Sequence, residues 1–249
     1  MLPKILTWNV RGLNDINKRL RIRSLLRPWK ADIICLQEIK LKLITRTIRS
    51  MWGCQYVGWA YKPSDGASGG ILVMWDKRVV ENVDEFVGEY SVGYLFKNSE
   101  DDFVWAFTGV YGPNSECERR LLWDELADLR GDFNVTRFPS ERSGGGRQNH
   151  AMGEFSNFIS ELELMDIPLM GGDYTWSNNY TCSKLDRFLI SSSWEMQFPD
   201  SCQKRLFRLC TDHFPIILDC GGIPGGRRHF KFENMWLKSK GFVELVRQW

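Results

Sequence analysis

Polar side chains with catalytic potential recur where strand-like apolar runs of the sequence end. They comprise four carboxylates, two amides, a phenol and an imidazole: Asn9, Glu38, Tyr111, Asp132, Asn134, Asp186, Asp212 and His213. Because catalytic groups concentrate at strand ends, where the scaffold holds them and the loops stay open, we expect these side chains to converge. Four crowded carboxylates repel one another by roughly 4 kcal/mol per pair at about 4 Å and an effective dielectric constant of about 20, so an ionised cluster requires a cation. Hard oxygen ligands favour Mg²⁺ or Mn²⁺.

Short apolar runs and helical patterns alternate along the chain. The predicted strands are residues 4–9, 32–37, 55–61, 70–75, 103–111, 186–191 and 214–219. Apolar residues at helical spacing mark three predicted helices: Ile22, Leu25, Leu26 and Trp29; Leu122, Leu126 and Leu129, which follow the candidate capping box of Ser115 and Glu118; and Phe155, Phe158, Ile159 and Leu162. This layout predicts an α/β or α+β fold.

Composition excludes several classes of protein. The chain has 249 residues, and 33 Lys and Arg nearly cancel 31 Asp and Glu, so that any basic surface must be local. No apolar run approaches the roughly 20 residues of a membrane-spanning helix, and the N-terminal residues do not form a signal peptide, so we expect an intracellular protein without a membrane partner. Seven cysteines without a Cys-x-x-Cys pair exclude a disulfide scaffold, and three widely separated histidines argue against a structural zinc site.

A glycine-rich stretch at 221–226 predicts a boundary near the C-terminus. We expect one domain over residues 1–222, and a basic extension or truncated linker over residues 223–249. The second segment ends abruptly at Trp249 without a helix cap, which suggests that it was once continuous with a longer chain.

Considered together, the ordered polar residues resemble the endonuclease/exonuclease/phosphatase superfamily, which has the deoxyribonuclease I-like fold. The sequences of four segments are similar to segments of the endonuclease domain of plant LINE-type (non-LTR) retrotransposons. These segments are Trp8-Asn9-Val10-Arg11-Gly12-Leu13, Ser68-Gly69-Gly70-Ile71-Leu72, Phe138-Pro139-Ser140-Glu141-Arg142 and Phe232-Glu233-Asn234-Met235-Trp236. The resemblance implies a four-layered α/β sandwich of two packed mixed β-sheets flanked by helices, with the site at one edge. It also implies DNA as the partner, former fusion to a reverse transcriptase, nicking of target DNA during retrotransposition, and a nuclear location.

The resemblance assigns a metal-binding role to three residues. Glu38 would be the principal ligand of Mg²⁺ or Mn²⁺, and Asn9 and Asp212 would contribute directly or through water. The ion would stabilise charge on the phosphate and on the leaving oxygen of a hydrolysed phosphodiester.

Five further residues would act on the phosphate and the attacking water. By the same resemblance, His213 would contact the phosphate or act as an acid or base, and Asp186 would orient its imidazole. Asp132 would position or deprotonate the water, so that Asp132 and His213 are both candidate bases. Asn134 would donate to a non-bridging oxygen, and Tyr111 would hold the phosphate.

A run of cations follows the first strand. It comprises Arg11, Lys18, Arg19, Arg21, Arg23, Arg27 and Lys30. Such a run is typical of a solvated helix face. The functional alternative is a phosphate-binding ridge, which we assign to Arg11, Arg19 and Arg23 together with Arg142 and Arg147 of the glycine-rich loop.

The chain departs from the family pattern before Gly131. The family has a strand there, which carries Asp132 and Asn134 into the site, whereas the helical pattern here extends to Leu129 and leaves one residue, Arg130. A loop and a strand would need about ten residues, so we expect an internal deletion of this strand, with reduced activity and stability. The alternatives are an apurinic endonuclease or phosphatase of the same fold, and a non-catalytic remnant that at most binds nucleic acid.

Overall fold

The computed structural model describes residues 2–40, 45–53, 55–64, 69–112, 122, 125 and 134–222. In chain order its elements are β1 (Lys4–Asn9), α1 (Ile16–Trp29), β2 (Ile33–Gln37), α2 (Thr45–Met51), β3 (Val57–Lys62), β4 (Ile71–Asp76), β5 (Val80–Val87), β6 (Ser91–Asn98), β7 (Val104–Val110), α3 (His150–Glu161), β8 (Met165–Asp166), β9 (Leu169–Met170), β10 (Trp176–Ser177), β11 (Cys182–Ser183), β12 (Leu189–Ile190), α4 (Ser192–Gln197), β13 (Cys202–Arg205) and β14 (Ile216–Asp219).

The largest sheet has seven strands in the order β3-β4-β2-β1-β14-β13-β9. Its centre is mixed, because β1 runs parallel to β2 and antiparallel to β14. Both faces of this centre are covered, and β1 and β2 are accordingly almost continuously buried runs, Lys-Ile-Leu-Thr-Trp-Asn and Ile-Ile-Cys-Leu-Gln.

A second sheet of three antiparallel strands, β5-β6-β7, packs against the first. Alternate residues of β6, including Tyr94 and Phe96, lie in one buried cluster with Ile5 of β1 and Ile33 of β2. On the opposite face of the large sheet, Ile22 and Leu26 of α1 pack in a cluster that includes Leu6 and Leu36. The predicted α/β sandwich of two packed sheets with flanking helices is therefore confirmed.

The described helices begin and end at residues that suit those positions. The side chain of Asp15 accepts from the backbone N–H of Asn17 at the start of α1, and Lys30 ends that helix in the left-handed region. The side chain of Asn149 accepts from the N–H of Met152 at the start of α3. In the described part of the chain, no helix is long and apolar enough to cross a bilayer.

Several predictions concern residues outside the described ranges. These are the rest of the helix predicted around Leu122, the deletion between Arg130 and Gly131, and the extension over residues 223–249. Leu122 itself is helical and fully buried, in a cluster with Val110 of β7 and Leu189 of β12. Among the described residues, no ladder pairing joins β7 to β12.

Candidate active site

The order of strands brings three of the predicted site segments to one edge of the large sheet. Asn9 is the last residue of β1 and pairs in register with Gln37, the last residue of parallel β2, so Glu38 emerges beside Asn9. Because β14 is antiparallel to β1, Thr7 pairs with Ile216, and the residues before β14 arrive at this same edge. Asp212 and His213 lie in that preceding segment.

The second sheet adds Tyr111 to the same edge. The amide of Gln37 is fully buried and donates both to Thr7 Oγ1 at 2.9 Å and to the carbonyl of Val110 at 3.3 Å. This amide ties the end of β2 to the end of β7, immediately before Tyr111. The phenol of Tyr111 then donates to Glu38 Oε1 at 2.9 Å.

Glu38 is a buried carboxylate surrounded by donors. Asn9 Nδ2 donates to Oε1 at 3.0 Å, next to the Tyr111 hydroxyl, and Lys40 Nζ lies 3.2 Å from Oε2. Burial alone would raise the pKa of Glu38, but the hydrogen bonds from Asn9, Tyr111 and Lys40 outweigh it and lower that pKa below its ordinary value. Glu38 is therefore ionised at neutral pH, as a ligand of a hard cation must be.

The backbone around Glu38 is strained at three non-glycine residues. Arg11, Glu38 and Lys40 have φ angles of 46°, 52° and 49°, in the left-handed region. Each such residue costs on the order of 1–3 kcal/mol, and residues of this kind cluster at functional sites. The surrounding structure must therefore hold the backbone of these residues in this conformation.

Asp212 has one satisfied and one unsatisfied oxygen. Its Oδ2 accepts from the Trp176 indole at 2.7 Å and lies 3.0 Å from Arg11 Nη1. Its Oδ1 is buried and has no hydrogen-bond partner among the described residues. A buried carboxylate oxygen without a partner is costly, so this atom calls for a cation or a bound donor.

His213 and Asp186 form a buried pair. His213 Nδ1 lies 3.1 and 3.0 Å from the two oxygens of Asp186, and the two residues are each 2% exposed. A carboxylate can only accept, so Nδ1 is the donor, and in the neutral imidazole Nε2 is the nitrogen that can accept a proton. The contact predicted between Asp186 and His213 is present.

A fully buried threonine and a tryptophan fix the two loops that carry this pair. Thr175 Oγ1 accepts from the backbone N–H groups of both Leu185 and Asp186, each at 2.9 Å. The Trp8 indole donates to the carbonyl of His213 at 3.2 Å and so ties the loop to β1.

Asn134 also reaches the end of β7. Its φ is 49°, and its Nδ2 donates to the carbonyl of Gly112, next to Tyr111, at 2.5 Å. Asp132, the other residue predicted from this segment, lies outside the described residues.

The predicted DNA-binding arginines have different surroundings. Arg11 lies at the site beside Asp212. Arg19 donates to the carbonyls of Leu13 and Asn14, so its guanidinium supports the loop after β1. The other three show no contact with the site residues: Arg23 is half-buried on α1, Arg142 donates to Thr136 Oγ1, and Arg147 is exposed.

Sequence reasoning missed two contributors to the site. Trp176 donates to Asp212 across 36 residues of sequence, and Thr175 holds the backbone of Asp186 across 11. In the sequence, the feature that marks the segment Tyr174-Thr175-Trp176 is the glycine pair Gly171-Gly172 shortly before it. In the structure, β10 begins at Trp176.

The donor set fits Mg²⁺ or Mn²⁺. Glu38, Asn9 and Asp212 supply hard oxygen atoms at one edge of the sheet, and the partnerless Oδ1 of Asp212 has the character of a ligand atom. Among the described residues there is no group of three or more His, Cys, Asp and Glu that could hold a metal ion.

Comparisons with known proteins identify a matching family model and proteins of similar sequence or fold. The model of the endonuclease/exonuclease/phosphatase family matches residues 6–130. An exodeoxyribonuclease of Bacillus subtilis is 24% identical over 252 residues, covering 86% of this chain and 98% of that protein. An AP endonuclease from Leishmania major has a similar fold, with a TM-score of 0.68, 15% identity and 87% of each chain covered. The endonuclease domain of TRAS1, a telomere-specific non-LTR retrotransposon, gives a TM-score of 0.63 at 15% identity, over 88% of this chain and 98% of that one.

Proposed function

The chain belongs to the endonuclease/exonuclease/phosphatase family, and we propose that it is a metal-dependent phosphodiesterase that nicks DNA. The observation that carries this proposal is the convergence of Glu38, Asp212 and the Asp186–His213 pair at one sheet edge. An anionic pair of carboxylates and a proton-transferring imidazole are the parts that phosphodiester hydrolysis requires.

Glu38, Asn9 and Asp212 would hold Mg²⁺ or Mn²⁺. When bound, the ion supplies Lewis-acid stabilisation of the charge that develops on the phosphate and on the leaving oxygen. The chain prepares this step by keeping Glu38 ionised and by orienting Asp212 through the Trp176 indole.

The remaining groups position the phosphate and move the proton. Asp186 holds the imidazole of His213 in the tautomer whose Nε2 can accept a proton or, when charged, donate to a phosphate oxygen. Tyr111 and Asn134 would hold the non-bridging oxygens. Asp132 would position the attacking water, and it shares with His213 the candidacy for general base.

DNA is the substrate that the surroundings favour. Arg11 is half-exposed at the site, and the basic residues of α1 continue from it along the chain. The B. subtilis relative is named an exodeoxyribonuclease, and the TRAS1 domain belongs to a retrotransposon. Together with the sequence segments that resemble retrotransposon endonucleases, these two similarities support nicking of target DNA in the nucleus by a domain that worked with a reverse transcriptase.

The test is nicking of supercoiled plasmid by the purified chain. We expect nicking with Mg²⁺ that is abolished by EDTA and by Glu38→Ala, because the principal metal ligand is lost. The matched control is Glu81→Ala, which removes an exposed glutamate from β5 in the other sheet. Nicking that persists in Glu38→Ala, or no nicking by the unmodified chain, would contradict the proposal.

A second substrate separates DNA nicking from a repair activity. Duplexes that contain one abasic site are compared with intact duplexes under the same conditions. We expect no preference for the abasic duplex. A strong preference would reassign the chain as an apurinic endonuclease of the same fold.

A further inference from the structure

Three cations converge on the two carboxylates of the site. Arg11 lies 3.0 Å from Asp212 Oδ2, and Lys40 lies 3.2 Å from Glu38 Oε2. Lys18 Nζ donates to the carbonyl of Arg11 at 3.0 Å and lies within electrostatic range of both carboxylates. These cations therefore neutralise the acidic groups where a divalent ion is expected.

Arg11 differs from the other two because its backbone and its guanidinium both engage metal-site residues. Its backbone N–H donates to Asn9 Oδ1 at 3.1 Å, and its guanidinium pairs with Asp212. The left-handed backbone of Arg11 sets the direction of the side chain, which is 51% exposed. The guanidinium thus lies at the boundary between the carboxylate and the solvent from which a substrate arrives.

A divalent ion and this ion pair make conflicting demands on Asp212. Oδ1 of Asp212 has no hydrogen-bond partner among the described residues and is available to a cation, whereas Oδ2 is already paired with the Arg11 guanidinium. A doubly charged ion bound through Asp212 would lie close to the positive guanidinium, and the two would repel each other strongly in a partly buried site. Arg11 therefore weakens metal binding for as long as it stays paired.

We propose that Arg11 is the counter-ion of Asp212 in the metal-free protein, that it competes with the divalent cation, and that once displaced it binds a phosphate oxygen of DNA. This inference rests on the proposed function of the site. A guanidinium suits the second role because its fixed fork of donors matches the oxygens of a phosphate. Metal binding and DNA binding are then coupled through one side chain.

The first test measures metal affinity without catalysis. Mn²⁺ binding is followed by electron paramagnetic resonance of the free ion, for the unmodified chain, Arg11→Ala and Arg11→Lys. We expect Arg11→Ala to lower the Kd for Mn²⁺ by about three- to tenfold, because the competing charge is gone, and Arg11→Lys to remain within about twofold.

The matched control is Arg78→Ala. Arg78 also pairs with an aspartate, Asp76 at 2.5 Å, but at the opposite end of the large sheet, so its removal should leave Mn²⁺ affinity unchanged. Thermal melts of the apo variants verify folding. An unchanged or higher Kd for Mn²⁺ in folded Arg11→Ala would overturn the proposal, also where the unmodified chain nicks DNA.

The second test measures DNA affinity with Ca²⁺ and with EDTA. We expect Arg11→Ala to weaken binding of a duplex about threefold or more with Ca²⁺ and to have no effect with EDTA, because Arg11 is then paired with Asp212. An equal loss under both conditions would mean that Arg11 is an ordinary surface cation, and no loss with Ca²⁺ would mean that it does not reach the phosphate. If neither Mn²⁺ binding nor nicking occurs in the unmodified chain, the proposed function fails together with this inference.

Discussion

At the scale of single residues, the geometry of the Asp186–His213 pair leads to a specific kinetic prediction. Asp186→Asn replaces a pure acceptor by an amide that can also donate, so the imidazole loses the partner that selects its tautomer. We expect the single-turnover nicking rate to fall by about 10²- to 10⁴-fold. DNA affinity in EDTA should stay nearly the same, because Asp186 is itself buried and acts only through the imidazole of His213.

Asp102→Asn is the matched control for this prediction. Asp102 pairs with Lys97 on the surface, between β6 and β7, and its removal should leave the rate unchanged. A rate within about threefold of the unmodified chain in Asp186→Asn would show that catalysis does not depend on the orientation of His213 by Asp186.

Loss of the Trp176 indole should weaken metal binding, whereas loss of Arg11 should strengthen it. Trp176→Phe keeps an aromatic ring at this position but removes the neutral indole N–H that donates to Asp212. We expect the concentration of Mg²⁺ that gives half-maximal nicking to rise about tenfold, as on loss of a group that orients a metal ligand, while the rate at saturating Mg²⁺ changes little. An unchanged Mg²⁺ requirement would mean that Asp212 is held without the indole.

These residues also mark the limit of sequence reasoning about the site. Asn9, Glu38 and Asp212 could be singled out because each interrupts an apolar run at a strand end. Trp176 and Thr175 could not, because their roles depend on contacts with segments that only the fold brings together. The pairing of Arg11 with Asp212 was equally invisible, although Arg11 itself was singled out as a cation.

At the scale of elements, a buried ion network ties the segment before α3 to β8 and to the approach to β12. Arg187 is fully buried and pairs with Glu141 Oε2 at 2.8 Å and with Asp166 Oδ2 at 2.6 Å. Lys184 Nζ lies 3.2 Å from Asp166 Oδ1. Since Arg187 directly follows Asp186, this network holds the segment that presents the Asp186 carboxylate to His213.

The network predicts a pH-dependent contribution to stability. Burial alone would raise the pKa of Asp166, but the charges and hydrogen bonds of Arg187 and Lys184 outweigh it and lower that pKa below its ordinary value. A carboxyl with a lowered pKa stabilises the fold above its unfolded pKa of about 3.9, and this contribution is lost as the pH falls through the folded pKa. The free energy of unfolding should therefore decline below about pH 4.

Urea denaturation of Asp166→Asn checks this prediction. At pH 7 we expect a loss of about 3–5 kcal/mol in the free energy of unfolding, because Arg187 is left buried with one partner fewer. The decline at acid pH should be shallower than in the unmodified chain. Lys184→Met serves as the milder variant, and an unchanged acid slope in both would contradict the assignment.

The comparison of predicted with observed strands shows which strands the pattern of apolar residues can predict. The predicted strands at 4–9, 32–37 and 70–75 agree with β1, β2 and β4 to within one residue, because both faces of these strands are buried and their sequences are mostly apolar. The strand predicted at 186–191 is only two residues long, Leu189–Ile190. β5 was missed because it is an edge strand with a mostly exposed, charged sequence, and the neighbouring β6 was missed with it.

At the scale of the whole molecule, the described residues of the second layer of the sandwich form two separate sheets. β5-β6-β7 form one sheet and β8 with β12 form another, and within the described ranges no ladder joins them. Yet Val110 of β7 and Leu189 of β12 lie in one buried cluster with Leu122 and Val135. Where two strands of one layer are not paired with each other, their edges leave backbone groups that other residues must satisfy.

We propose that the interruption reflects an internal deletion between Arg130 and Gly131, which lie outside the described residues. Insertion of about ten residues with the alternating apolar pattern of a strand would supply the length that a loop and a strand require. We expect the free energy of unfolding and the nicking rate both to rise. The rate should rise by about a hundredfold if the insertion corrects a displacement of about 1 Å in Asp132 and Asn134.

The position of the insertion provides its control, because added length alone should not help. The same ten residues placed between Ser99 and Glu100, in the exposed turn between β6 and β7, should leave both quantities unchanged. If the unmodified chain already nicks as fast as the chain with the insertion at Arg130, the sheet tolerates its interruption and Asp132 reaches the site without an added strand. If the insertion raises stability but not the rate, the missing strand supports the core, and the loss of activity must have arisen at the catalytic residues themselves.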